Sequence, residues 1–146
     1  MLFGKRKRVV NRILIVEDEP LTAFDNEVML GDLGYEVVAT LDSFEDAIGL
    51  LENEKVDLIL SDYRLSGRKT GMDLARAAKN RGIPIVFSTG HKLPAESVKL
   101  AVGCINKPYS ERTLKLGINA VDKHLAGEKV KPPKGMEIFV PTVAKE

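Results

Sequence analysis

The sequence has no tryptophan, a single cysteine (Cys104), only three tyrosines and five phenylalanines, and only short apolar runs. Each shortage closes off a class of protein. One cysteine excludes an intramolecular disulfide and agrees with a reducing cytoplasm. The apolar runs fall well short of the roughly 20 residues a membrane-crossing helix needs. The basic cluster Lys5-Arg6-Lys7-Arg8 is followed by only Val9 and Val10, too little for the apolar stretch of a signal peptide. A soluble cytoplasmic protein is therefore expected. No Gly-rich loop follows the first strand-like run, and no indole is present to stack on a flavin, which argues against a nucleotide- or flavin-binding module. Internal repeats and low-complexity tracts are also lacking.

What is present amounts to one domain: 146 residues, 44% of them hydrophobic, enough to bury a core without disulfides or metal staples. The formal net charge of +1 conceals an asymmetry, because residues 5–8 are all basic and the body is mildly acidic. Residues 1–11 are expected to form a flexible, solvated basic arm, with no nucleic-acid or membrane partner.

Apolar runs without a helical period recur through the chain: Ile13 to Val16, Tyr35 to Ala39, Val56 to Ser61, Ile85 to Ser88 and Cys104 to Asn106. They read as buried strands. Between them lie helix-like stretches. One opens at Pro20 with Leu21, Phe24, Val28, Met29 and Leu33 as its apolar face and ends at Gly34. A second runs to Leu51 from a capping box at Asp42 and Glu45, burying Phe44, Ala47, Ile48 and Leu51. Others are expected over residues 71–81, 95–101 and 110–126. Five alternations of strand and helix predict an α/β fold, a parallel sheet with helices on both faces. Residues 127–146, rich in lysine and proline, look like a linker and a loosely held tail, with docking on a sheet edge or on a partner as the alternative.

In such a sheet, chemistry gathers beyond the carboxyl ends of the strands. Four strands end in reactive side chains: Glu17-Asp18, Asp62, Thr89 and Lys107. Taken singly, each has a plain structural explanation, as a helix cap, a strand-end cap, an ordinary hydroxyl and a surface lysine. Together they form a set. Crowded carboxylates repel one another unless a cation is present, and Mg²⁺ suits one or two carboxylates with phosphate oxygens and waters. Phosphoryl transfer to a carboxylate needs this combination, with Asp62 attacking while the metal and Lys107 neutralise the phosphoryl oxygens.

The segments Ile-Val-Glu-Asp-Glu (15 to 19), Leu-Ile-Leu-Ser-Asp (58 to 62), Ser-Thr-Gly (88 to 90) and Lys-Pro (107 to 108) resemble the receiver domains of two-component response regulators. The resemblance covers about residues 12–126. It implies a five-stranded, flavodoxin-like parallel sheet of order 2-1-3-4-5 and phosphorylation of an aspartate by a histidine kinase or phosphotransfer protein. By the same resemblance Asp62 is the phosphoacceptor, and Asp18, Asp62 and the Arg64 carbonyl are Mg²⁺ ligands. Glu17 acts on the metal through water, Thr89 is the switch hydroxyl and Lys107 binds the phosphoryl group. Phe87-Ser88-Thr89-Gly90 is similar to the signature of a subgroup named for Phe-Ala-Thr-Gly, often stand-alone receivers in stress signalling.

This sequence departs from the common pattern in two places. Cys104 stands where many receivers carry an aromatic switch residue, and the loop after Asp62 has Ser66 where proline is frequent and is one residue longer before Gly71. With no ring to swing, the switch is expected to pass from Thr89 through residues 90–94 into the following helix. The partner-binding face would be that helix, the fifth strand and the helix from Ser110. Arg64 and His91 are expected to flank the phosphoryl group. With no output domain expected after residue 126, signalling by protein contact or service as a phosphate sink follows. The competing reading is a Mg²⁺-dependent phosphohydrolase with an aspartyl-phosphate, but the usual second acid, two residues after the nucleophile, is replaced by Arg64, which cannot give up a proton.

Overall fold

The computed structural model describes residues 7–139. Over these residues the elements run β1 (Arg12–Val16), α1 (Pro20–Asp32), β2 (Glu36–Leu41), α2 (Phe44–Leu51), β3 (Leu58–Asp62), α3 (Gly71–Asn80), β4 (Ile85–Thr89), α4 (Ser97–Leu100), β5 (Gly103–Asn106), α5 (Glu111–Leu125) and β6 (Met136–Ile138). They build one sheet of order β2-β1-β3-β4-β5-β6. The first five strands pair in parallel in the expected order. The sixth pairs antiparallel on the outer edge of β5.

Strand alternation divides the core between the two faces of the sheet. Leu14, Val16, Ile59, Ile85 and Phe87 pack with Ala47 of α2 and Met72, Leu74, Ala75 and Ala78 of α3. Ile13, Ile15, Leu58, Leu60, Val86 and Ile105 pack on the other face with Leu30 of α1 and Leu114, Ile118 and Val121 of α5. Both faces of the central strands are thus covered, which is why their sequences carry no polar alternation.

The orientation of α1 corrects the sequence reading. The expected face is largely outside: Leu21, Phe24 and Val28 are exposed, while Ala23, Asn26 and Leu30 are buried and only Met29 and Leu33 of the expected set pack partly inward. The two sets share the same spacing but are offset by two residues, about 200° around a helix. A buried polar anchor sets the rotation, since Tyr109 Oη donates to Asn26 Oδ1 at 2.7 Å. Leu30→Ala should therefore cost about 2–5 kcal/mol of stability, and Phe24→Ser should leave it within about 0.5 kcal/mol. Urea denaturation of the two variants would reveal the contrast, and the reverse ranking would contradict this rotation.

Other corrections are local. The α2 cap is Ser43, whose Oγ accepts from the Asp46 N–H at 3.2 Å, rather than Asp42. The helix α4 is a single turn, Ser97–Leu100, without a side-chain cap.

Residues 8–10 and 136–139 are more tightly held than expected. The part of the basic arm within the described residues is pinned: Asp122 Oδ2 accepts from the N–H groups of Val9 and Val10 at 2.9 and 2.8 Å, and the Arg8 guanidinium lies 4.2 Å from the Tyr35 ring centroid. Lys5 and Arg6 lie outside the described residues. The tail reading fails for residues 136–139, which join the sheet through β6 and bury Met136 and Phe139. The outer edge of β5, one part of the face expected to meet a partner, is covered by the chain itself. Among the described residues no helix is long and apolar enough to cross a membrane.

Candidate functional site

Parallel pairing brings the carboxyl ends of β1, β3, β4 and β5 to one edge. The four predicted groups arrive there from four strands, although ninety positions separate Glu17 from Lys107. Glu17, Asp18 and Asp62 each offer a carboxylate oxygen, and the three oxygens lie within 4.8 Å of one another. Glu17 is buried, Asp62 partly buried and Asp18 exposed, so the cluster opens outward through Asp18. Lys107 Nζ reaches Glu17 Oε1 at 2.7 Å and Asp62 Oδ2 at 3.4 Å. One cation thus faces three carboxylates, a deficit of positive charge suited to a divalent ion.

Burial pushes the Glu17 carboxyl above its ordinary value, opposed by its hydrogen bond to Lys107, and the charge of Asp62 adds to the rise. Burial alone would lower Lys107, but the hydrogen bond and charge of Glu17, then Asp62, carry it net upward. Both groups move the same way for different reasons. Lys107 gains two anions, while Glu17 loses more on leaving water than one cation returns.

Local structure fixes each group. Pro20 opens α1 behind a Glu19 cap, whose Oε1 accepts from the Thr22 N–H at 3.0 Å, and the Glu19 N–H donates to Glu17 Oε2 at 3.1 Å. Asp62 Oδ1 accepts from the Arg64 N–H at 3.2 Å. The Lys107 N–H donates to the Thr89 carbonyl at 2.8 Å, tying the lysine to the end of β4. Thr89 Oγ1 accepts from the His91 N–H at 3.0 Å and donates to the His91 carbonyl at 3.1 Å, so at rest it is committed to its own loop. The Arg64 and His91 side chains are exposed, and it is their backbones that these bonds hold to the site.

Sequence reading passed over three contributors. Ser66, noted only as a departure in the loop, donates to Asp18 Oδ2 at 3.4 Å. Tyr109, beside Lys107-Pro108, is half-buried and bonded to the buried Asn26, and loss of water around its phenol pushes it up to about 12. Its position two residues after the lysine was a visible signal, but Asn26 as its partner was not. Gly71 opens α3 so close to the Asp62 loop that a Cβ there would lie 2.6 Å from the Tyr63 carbonyl oxygen and 2.7 Å from that of Asp62. Those neighbours are backbone atoms and cannot swing aside. Gly71→Ala should cost about 1–3 kcal/mol, read from the urea midpoint, and an unchanged midpoint would mean the loop yields freely.

The response regulator receiver domain profile matches residues 13–119. The chain belongs to the response regulator receiver family. It is 39% identical over 82 residues to the transcriptional regulatory protein PdtaR of Mycobacterium tuberculosis, covering 56% of this chain and 40% of PdtaR. It is 31% identical over 117 residues to the protein PilH of Pseudomonas aeruginosa, covering 75% of this chain and 96% of PilH. The solved response regulator PhyR of Brucella abortus superposes with a TM-score of 0.63 at 30% identity, covering 75% of this chain and 46% of PhyR. The match spans less than half of PdtaR and PhyR but nearly all of PilH. The sheet order adds fold evidence, with antiparallel β6 extending the family's five parallel strands.

Proposed function

We propose that this chain is a phosphoryl-accepting switch in a phosphorelay, with Asp62 as the acceptor and a histidine kinase or phosphotransfer protein as the donor. The observation that carries this reading is Asp62 at the end of β3, with Lys107 Nζ 3.4 Å away and two further carboxylates beside it. Asp18, Asp62 and the Arg64 carbonyl would hold Mg²⁺, with Glu17 reaching it through water. These oxygen donors and their uncompensated negative charge fit that ion. A bound Mg²⁺ supplies charge neutralisation for the phosphoryl oxygens.

In the transfer, an Asp62 carboxylate oxygen forms a bond to phosphorus as the donor's N–P bond breaks. The histidine nitrogen keeps the electron pair and takes up a proton. Lys107 stabilises the equatorial oxygens and Thr89 donates its hydroxyl to one of them afterwards. The donor must cover the rim of the pocket to reach Asp62. The exposed Leu21, Phe24 and Val28 of α1, which starts two residues after Asp18, offer apolar contact there.

Residues 12–126 are taken as the switching unit, acting in the cytoplasm through protein contact or as a phosphate sink, without turnover of an external substrate. A role in stress signalling is supported by the likeness to PhyR, a stress response regulator. A phosphohydrolase is less well supported, because Arg64 occupies the position of the second acid and cannot accept a proton. Incubation with acetyl phosphate tests the reading. Stoichiometric labelling that requires Mg²⁺ is expected, whereas steady hydrolysis of a phosphomonoester would favour the hydrolase.

A further inference from the structure

The outer edge of β5 carries a strand that the five-stranded core does not require, and the chain is shaped to receive it. Gly103 of β5 pairs with Ile138, and a Cβ at Gly103 would run into the Glu137 carbonyl oxygen. A Cβ at Gly117 of α5 would lie 2.8 Å from Met136 Sδ. Two glycines from different elements thus clear the path of one short strand. The Asn106 N–H donates to the Gly135 carbonyl at 2.8 Å and the Phe139 N–H to the Val102 carbonyl at 2.7 Å, extending the ladder at both ends.

The segment straddles the sheet edge. Met136 and Ile138 pack on the α5 side, and Phe139 packs on the α4 side with Cys104 and Ala101. Cys104 is small, and the neighbouring space receives an aromatic ring supplied by the tail. The hollow beside Phe139 and Cys104 is walled by His91, Leu93 and Pro94. This is the loop that Thr89 Oγ1 fastens through both the N–H and the carbonyl of His91.

A hydroxyl has one proton to donate. Once Thr89 gives that proton to a phosphoryl oxygen on Asp62, its bond to the His91 carbonyl is lost and the wall against Phe139 loosens. The segment held there is only three strand residues long and is joined through an extended linker containing Gly127 and Gly135, both at positive φ. It can leave without unfolding the rest of the sheet.

We propose that the outer edge of β5 is a strand-docking site, occupied at rest by this chain's own residues 136–139 and opened by phosphorylation of Asp62 to an extended segment of a partner protein. The resident segment defines the partner's chemistry. It has apolar residues at its first, third and fourth positions, for the notch at Gly117 and the hollow at Cys104, and can carry an acidic residue at its second, as at exposed Glu137. The exposed Lys92, which lines the same hollow as Glu137, favours an acidic residue there. Docking adds main-chain hydrogen bonds along β5, with side-chain pockets setting specificity. The inference rests on Asp62 being the phosphoacceptor.

A fluorescein-labelled peptide of residues 135–139 and the full chain test it by anisotropy, with Mg²⁺ alone and with Mg²⁺ plus beryllofluoride, whose bound state is followed by its fluorine resonance. Affinity at least about tenfold tighter with beryllofluoride is expected, equivalent to about 1.4 kcal/mol of coupling. The double variant Met136→Ser/Phe139→Ala, whose own segment is weakened, should bind the peptide without beryllofluoride, and Gly103→Val should not bind it in either state. Bound beryllofluoride with unchanged peptide affinity would overturn the coupling. Failure of the double variant to bind would overturn the docking site. Absence of a bound fluorine signal would count against the Asp62 reading, and the coupling would fall with it.

Discussion

Asp62→Asn should take up no phosphate from acetyl phosphate and Mg²⁺, as read by intact-protein mass, while its unfolding midpoint stays close to that of the native chain. The amide is nearly the same size but neutral, and it is not a nucleophile toward phosphorus under these conditions. Asp62 is only partly buried, so the exchange creates no cavity. The other two carboxylates do not replace it in the same way. Glu17 is buried and bonded to Lys107 at 2.7 Å, and Asp18 is exposed at the mouth of the cluster. Asp18→Asn should leave the acceptor in place and raise the Mg²⁺ concentration needed for labelling. Labelling of Asp62→Asn at the native rate would remove Asp62 from the mechanism.

Lys107→Met should slow labelling by about 100-fold or more, the scale of losing one preorganised charge from a reacting centre. Lys107 Nζ lies 3.4 Å from Asp62 Oδ2, close enough to follow negative charge onto the phosphoryl oxygens, and its bond to Glu17 keeps it there before the donor arrives. Methionine keeps most of the length of the side chain and removes the charge, so the deficit would report electrostatics rather than packing. Lys107→Arg, which keeps the charge with a wider head, should recover part of the rate. Rates unchanged in Lys107→Met would leave the lysine as a partner for buried Glu17 and nothing more.

Some of this was legible in the residues. A strand covered on both faces must be apolar throughout, so Ile13 to Val16, Leu58 to Leu60 and Ile85 to Phe87 announced a parallel sheet. A reactive group at the end of such a strand has its place fixed by the strand itself. That is why Glu17, Asp18, Asp62, Thr89 and Lys107 could be assigned to one edge from sequence, and why the structure brings them together.

Only the tertiary structure decided features that depend on distant partners. The apolar stripe of α1 was real, but Asn26 turned it outward by bonding Tyr109, eighty-three positions away. The basic arm is held at Val9 and Val10 by Asp122, and the tail is held at Met136 by the space over Gly117. Sequence carries local periodicity and the chemistry of each side chain, which determined the strands, the parallel sheet and the set of polar groups at the strand ends. Helix rotation and the docking of residues 8–10 and 136–139 depend on contacts whose partners have no fixed spacing along the chain, so packing alone settled them.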